Sequence, residues 1–259
     1  MTAGTTDATH LKARRPVEIR VSVVVPAFNE AQGLAASLRS IRQAMEILDA
    51  AGWRSELIVC DNNSTDMTAD IARAAGARVV FERINQISRA RNAGAAVALG
   101  DWLVFVDADS HPSRELFAEL LKVLRSGRAI AGGSTLCFDR PDRVLVGMAW
   151  AWNTISRCMR WAAGSFIFCE AASFREVGGF SRELYATEEI DLFRRLKQLA
   201  RRRGRTVEIL RRHPLRTSAR KVRLYTWREA LRFAGRTIAG RGRTLRSAEE
   251  CFAWYDGRR

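Results

Sequence analysis

Four β-branched or apolar runs, each followed by a stretch with helical periodicity, constrain this chain more than any other feature. "VSVVV" at 21–25 is nearly unbroken, like a strand buried on both faces. Pro26 is expected to end it. Asn29 is expected to cap a helix over 30–48, with Leu34, Leu38, Ile41, Met45 and Leu48 on one face. "ELIVCD" at 56–61 reads as a second strand, followed by a helix capped by Ser64, Thr65 or Asp66 and stopped at Gly76. "RVVFER" at 78–83 leads into a helix over 88–100. "DWLVFVDAD" at 101–109 leads into one begun by Pro112 and Ser113. This alternation with short connections predicts an α/β fold: a mainly parallel central sheet with right-handed crossovers, flanked by helices.

The second half is less regular. A strand is expected over 129–138 and a Trp-rich helix over 142–162. "GSFIFCEAASFREVGGF" reads as a strand, a short helix and a Gly turn. A basic helix stopped by Gly204 and a last strand at 205–212 follow. The Trp-rich helix reads as a buried or half-buried packing element; a lid over a substrate or a contact with a membrane surface is the alternative. The expected organisation is a flexible polar tail at 1–19, one α/β domain at 20–220 and a basic helical extension at 221–259. The first apolar run is broken by Glu18 and Arg20, unlike a signal peptide. No stretch approaches the roughly 18 apolar residues of a spanning helix.

The net charge of +15 is concentrated. Between Arg194 and Arg246, 17 Arg and two Lys stand against only Glu208 and Glu229, so this segment holds the whole positive excess. Such a block meets lipid headgroups, nucleic acid or a phosphorylated substrate, or it is a solvated basic face. The five cysteines are odd in number with no CxxC pair, which suits reduced thiols and a cytoplasmic location.

In sheets of this kind ligands bind beyond the carboxyl ends of the strands. Here those ends carry "PAFNE", "DNNSTD" and "DADSH". Residues i and i+2 of a strand point to one side. Asp107 and Asp109 are therefore expected to share one hard divalent cation, Mg2+ or Mn2+, with positions left open for a diphosphate. Alone, Asp-x-Asp is as compatible with two solvated loop acids.

The ordered set "VSVVVPAFNE", "ELIVCDNNSTD", "RARNAGAAVALGDWLVFVDADS" and "GGF…EEIDL" resembles the family 2 glycosyltransferases, which have the nucleotide-diphospho-sugar transferase (GT-A) fold. The likeness runs from about Val21 to about Arg220. It implies transfer of a sugar from a UDP-, GDP- or dTDP-sugar to an acceptor hydroxyl, inverting and metal-dependent, in cell-envelope polysaccharide or glycolipid synthesis. It places Pro26, Ala27, Asn29 and Glu30 on the nucleotide and Asp61 on its base, with Asn63 and Ala108 in the same donor-binding set. It aims Arg89, Arg91 and Asn92 at the donor sugar and phosphates, and Asp107 at ribose or sugar. Asp109 is the direct metal ligand. "EEIDL" stands where the family has "EDxDL", so Glu189 takes the position of the general base, with Glu188 as the alternative.

Each role has a plainer reading beside it. Asp61 and Asp66 also suit loop and helix-cap acids, Arg89 and Arg91 an exposed basic helix face, and Glu188 and Glu189 acids favoured at a helix N-terminus. Arg216, Ser218 and Arg220 are expected in a flexible diphosphate-binding loop or in a surface basic cluster. His213 is a further metal ligand or structural. Gly94 is expected to let a helix approach the sheet.

Other classes fit less well. A polyanion-binding protein, for nucleic acid or a lipid surface, explains the basic block but not acids at three strand ends. A non-catalytic member of the same fold is the other alternative. GxGxxG and GxxxxGK[ST] are absent, and His111 stands where a haloacid-dehalogenase-type phosphatase has Thr or Val. An acceptor linked to lipid, and attachment to the inner face of a membrane, fit the Trp-rich and Arg-rich segments.

Overall fold

A computed structural model describes residues 20–139, 142–162, 164–220 and Ser247. The expected tail at 1–19 lies outside these residues, and so does the expected extension at 221–259, Ser247 apart.

The chain alternates as the runs predict: β1 (Arg20–Ala27), α1 (Leu34–Ala50), β2 (Arg54–Asp61), α2 (Thr68–Ala74), β3 (Arg78–Phe81), α3 (Ile87–Val97), β4 (Trp102–Val106). Then come β5 (Ser110–His111), α4 (Arg114–Ser126), β6 (Ala129–Phe138), α5 (Arg143–Met159), β7 (Phe166–Glu170), α6 (Ala171–Glu176), α7 (Glu188–Arg202) and β8 (Thr206–Thr217). One eight-stranded sheet has the order β3-β2-β1-β4-β7-β6-β8-β5. β1 pairs in parallel with β2 and β4, while β7 runs antiparallel between β4 and β6. β6 and β8 are parallel, so both run in the direction of β4. The carboxyl ends of β1, β2, β4 and β8 therefore share one edge.

Alternation along β1 shows how the sheet is covered. Val21, Val23 and Val25 join a core with α1 and α4, and Val24 joins the opposite core with α3, α6 and α7. Both faces are buried, which is why the run carries no polar alternation beyond Ser22. Gly94 allows the close approach of α3: a Cβ there would lie 2.4 Å from Val24 Cγ1. Ser113 caps α4 by accepting the Leu116 N–H at 3.1 Å, and Gly127 closes that helix at φ 65°.

Several expectations need correction. β1 continues through Pro26 to Ala27, since proline removes a single ladder donor. Asn29 does not cap α1. It takes a left-handed φ of 50°, and the helix begins at Leu34 after a turn closed on the Glu30 carbonyl. None of Ser64, Thr65 or Asp66 occupies the N-cap position of α2, which is Met67. β4 stops at Val106, so the two acids are not strand residues. β8 runs on to Thr217 by pairing with β5 on one side and β6 on the other, so Arg216 stands in a strand and not in a loop. α5 is half-buried, as a packing helix would be: Leu145 and Ser156 are buried on one face and Asn153 bonds both the N–H and the carbonyl of Leu136 in β6 at 2.9 Å, while the other face is exposed.

Candidate active site

The first two strand-end loops are stapled together. Asn29 N–H donates to Ser64 Oγ at 3.0 Å, and Asn29 Oδ1 accepts the Thr65 N–H at 2.8 Å. Glu30 N–H donates to Thr68 Oγ1 at 2.8 Å, and Ala31 N–H to Asp66 Oδ2 at 3.0 Å. Asp66 is thus a staple between loops. Burial alone would raise its pKa, but the bonds from Thr68 and Ala31 bring it below the usual carboxylate range. Asp61 is buried and accepts the Ser64 N–H at 3.1 Å. Asn63 follows at φ 66°, a left-handed conformation asparagine tolerates. Pro26 and Ala27 end β1 beside Cys60 and Asp61.

Asp107 and Asp109 stand in a turn closed by the Ser110 N–H on the Asp107 carbonyl, at 3.1 Å. The Asp107 N–H donates to Ser165 O, and the Ser218 N–H to Asp109 O, both at 3.2 Å. The acidic turn, with the buried Ala108 between its acids, is thereby tied to the strand starting at Phe166 and to the end of β8. Ser218 Oγ accepts the Arg220 N–H, and Arg220 Nη2 pairs with the buried Glu30 at 2.5 Å. Residues 216–220 thus cross from the acidic turn back to the first loop. Arg216 faces His111 across the β5–β8 ladder. Burial, then Arg216, pushes the His111 pKa down. His213 donates its N–H to Glu119 of α4 and joins no metal-binding group among the described residues.

Arg91 joins the third and fourth parts of the site. Its side chain is 1% exposed, so it is no exposed basic face. It donates to Asp107 Oδ1 at 3.0 Å, Glu188 Oε1 at 2.7 Å and Gly164 O at 2.8 Å, and lies 5.1 Å from the Phe180 ring centroid. Burial alone would lower its pKa; Asp107, Glu188 and Glu189 more than reverse that. Burial, then repulsion from Glu189, pushes Glu188 up to about 8. Burial also raises Glu189, with Arg91 opposing it. The two carboxyls form one coupled site held at the N-terminus of α7. Thr187, just before them, is held at φ 62°, unusual for a β-branched residue.

Neighbouring side chains that were expected at the donor serve as braces. Asn92 gives both its polar atoms to the Phe180 backbone, at 2.8 and 3.0 Å. Arg89 Nε bonds Gln86 Oε1 at 2.9 Å, and Gln86 Nε2 holds the Arg182 and Leu184 carbonyls before α7. Phe180 belongs to the quoted GGF, but nothing local marks Gln86 or Gly164, because each acts through residues distant in the chain.

Asp107 and Asp109 supply at most two carboxylates, one oxygen of which already meets Arg91. Among the described residues, no group of three or more His, Cys, Asp and Glu gathers for a metal. Mg2+ and Mn2+ take one or two carboxylates and fill the remaining positions with water and substrate phosphate. The donor set suits such a shared ion and not an all-protein cage.

A curled α/β sheet with this edge is the GT-A architecture. A mannosyltransferase from Pyrobaculum calidifontis, solved in complex with GDP-Man and Mn2+, has the same fold. It superposes with TM-score 0.63 at 20% identity, over 92% of this chain and 65% of that one. Residues 22–173 match the model of glycosyl transferase family 2, and the chain belongs to that family. An uncharacterized glycosyltransferase of Mycobacterium tuberculosis H37Rv is 33% identical over 132 residues, 51% of this chain and 53% of its own length. An undecaprenyl-phosphate 4-deoxy-4-formamido-L-arabinose transferase of Pseudomonas syringae is 32% identical over 136 residues, 49% of this chain and 39% of the relative. The chain spans about half the length of the first of these, and less of the second.

Proposed function

We propose that the protein transfers a sugar from a nucleotide-diphospho-sugar to an acceptor hydroxyl by a single displacement that inverts the anomeric centre. The observation that carries this reading is the buried Arg91, which ties the donor-side Asp107 to Glu188 at the start of α7. Glu188 is committed to Arg91, which donates to its Oε1 at 2.7 Å. Its neighbour Glu189, half-buried with its pKa raised, is the general base and takes the acceptor proton. The acceptor oxygen forms a bond to the anomeric carbon as the bond to the diphosphate oxygen breaks, and the nucleoside diphosphate leaves. Asp61 binds the base, and Pro26, Ala27, Asn29, Glu30 and Asn63 hold the nucleoside. Arg216, Ser218 and Arg220 close on the diphosphate. Asp109, with Asp107, holds the divalent cation, which when bound supplies positive charge for the departing diphosphate.

A second reading of the acceptor follows from the relative named for an undecaprenyl-phosphate substrate. A lipid phosphate oxygen is already ionised near neutral pH and needs no base. The protein would then work as a peripheral protein at the inner face of a membrane. Nucleoside diphosphate release from UDP-, GDP- and dTDP-sugars, with Mn2+ or Mg2+ and with lipid-phosphate or sugar acceptors, tests both readings. Loss of release in Glu189→Gln supports a hydroxyl acceptor; retained release with the lipid phosphate supports the second. Absence of release from every pairing would overturn the transferase mechanism.

A further inference from the structure

The same chain carries an apolar stripe on α5 that the chemistry above does not use. Val144, Met148, Ala151, Ile155 and Met159 are all exposed. They recur at i, i+4, i+7, i+11 and i+15, so at about 100° per residue they fall within an arc of about 80°. Val144 is 71% exposed. The stripe ends at Met159, which lines a cavity of about 320 Å³ between the end of α5, α7 and the start of β8.

Four cations line that cavity: Arg160, Lys197, Arg201 and Arg205. Arg205 pairs with Glu170 at 2.6 Å. Among the described residues, no carboxylate lies within ion-pair distance of the other three. Lys197 Nζ donates to Met159 O at 2.9 Å and lies 5.4 Å from the Trp161 ring centroid. Burial, then Arg201 and Arg160, pushes its pKa down. Lys197 lies nine residues along α7 from Glu188, roughly 14 Å at the helical rise, so the cavity is separate from the transfer site.

Uncompensated positive charge at the end of an apolar stripe complements phosphate attached to apolar chains. Nucleic acid would match the cations but leave the stripe in water. A second copy would cover the stripe but bring two sets of cations together. We propose that α5 and this cavity dock the enzyme on an anionic bilayer, with a lipid phosphate among Arg160, Lys197 and Arg201 and the α5 stripe set into the acyl boundary. This rests on the peripheral-membrane part of the reading above, and not on the donor chemistry.

Flotation of the full chain with vesicles tests it. One set is phosphatidylcholine, and the other contains about one third phosphatidylglycerol; Lys197→Gln/Arg201→Gln and Met148→Ser/Ile155→Ser are run beside the wild type. Wild type should float with the phosphatidylglycerol set only. Each cation removed should weaken association about five-fold, and the serine pair should weaken it as well. Melting temperature and nucleotide-sugar binding of all variants should match wild type. Overturning results are wild type that ignores both vesicle types, variants that float like wild type, or a dimer abolished by the serine pair without any vesicle binding. Vesicle binding without any nucleotide-sugar binding would instead overturn the donor-site reading and leave the docking surface standing.

Discussion

Arg91 and Glu188, 97 residues apart in sequence, meet in a buried ion pair 2.7 Å long. The same guanidinium holds Asp107, so one cation fixes the distance between the acidic turn and the start of α7. Removing it takes that partner from both Asp107 and Glu188. Arg91→Met should cost about 3–5 kcal/mol of stability, the penalty of breaking a buried pair from one side. Urea unfolding measures this. Arg91→Lys should recover only part, because one ammonium does not reproduce a fork that reaches two carboxylates.

The raised pKa of Glu188 sets a pH dependence. A carboxyl whose folded pKa lies above its unfolded value contributes stability present below about 4.5 and lost as pH rises through about 8. Glu188→Gln should flatten the fall in stability between these values. Denaturant midpoints measured across pH 4.5 to 8 on both proteins check it; parallel curves would assign the proton to Glu189 or to neither.

Gly94 is needed for the contact of α3 with β1. A methyl there would lie 2.4 Å from Val24 Cγ1. Gly94→Ala should destabilise by about 1–3 kcal/mol through overpacking. Thermal unfolding reads the change, and Val24→Ala should relieve part of it in the double variant.

Arg220 links the end of β8 to the buried Glu30. If it also closes on the diphosphate, Arg220→Ala should weaken donor binding about ten-fold or more, the size of a lost charge-assisted hydrogen bond. Donor KM should rise more than kcat falls. An unchanged KM would confine Arg220 to holding Glu30.

Much of this fold was legible in the sequence because it is written in local chemistry. The apolar runs of β1, β2, β4 and β6 and the Ser113 and Gly127 ends of α4 need no knowledge of distant residues. The acidic turn was harder. "FVDAD" reads as continuous strand, yet Ser110 pairs with Thr217 of β8, and that distant ladder turns the chain out of β4. The end of β8 is hidden for the same reason, since Arg216 and Thr217 are strand through pairing with the distant β5 and β6. The Asp107–Asp109 pair, Asp61 and the two glutamates were each visible as acids at strand or helix ends. Their connection through Arg91 and Gly164 was not, because it depends on how the antiparallel β7 brings residues 164–165 beside Asp107. The exposure of α5 was also hidden: its Trp and Leu content suits a buried face as well as an exposed one.

The most direct test of the central claim is calorimetric titration of UDP-, GDP- and dTDP-sugars into wild type and Asp109→Ala, each with Mn2+, Mg2+ or EDTA. The account predicts that one nucleotide class binds wild type only with the cation, and that Asp109→Ala loses this binding while keeping its fold. Binding that ignores both the cation and Asp109, or no binding by any nucleotide sugar, would contradict it.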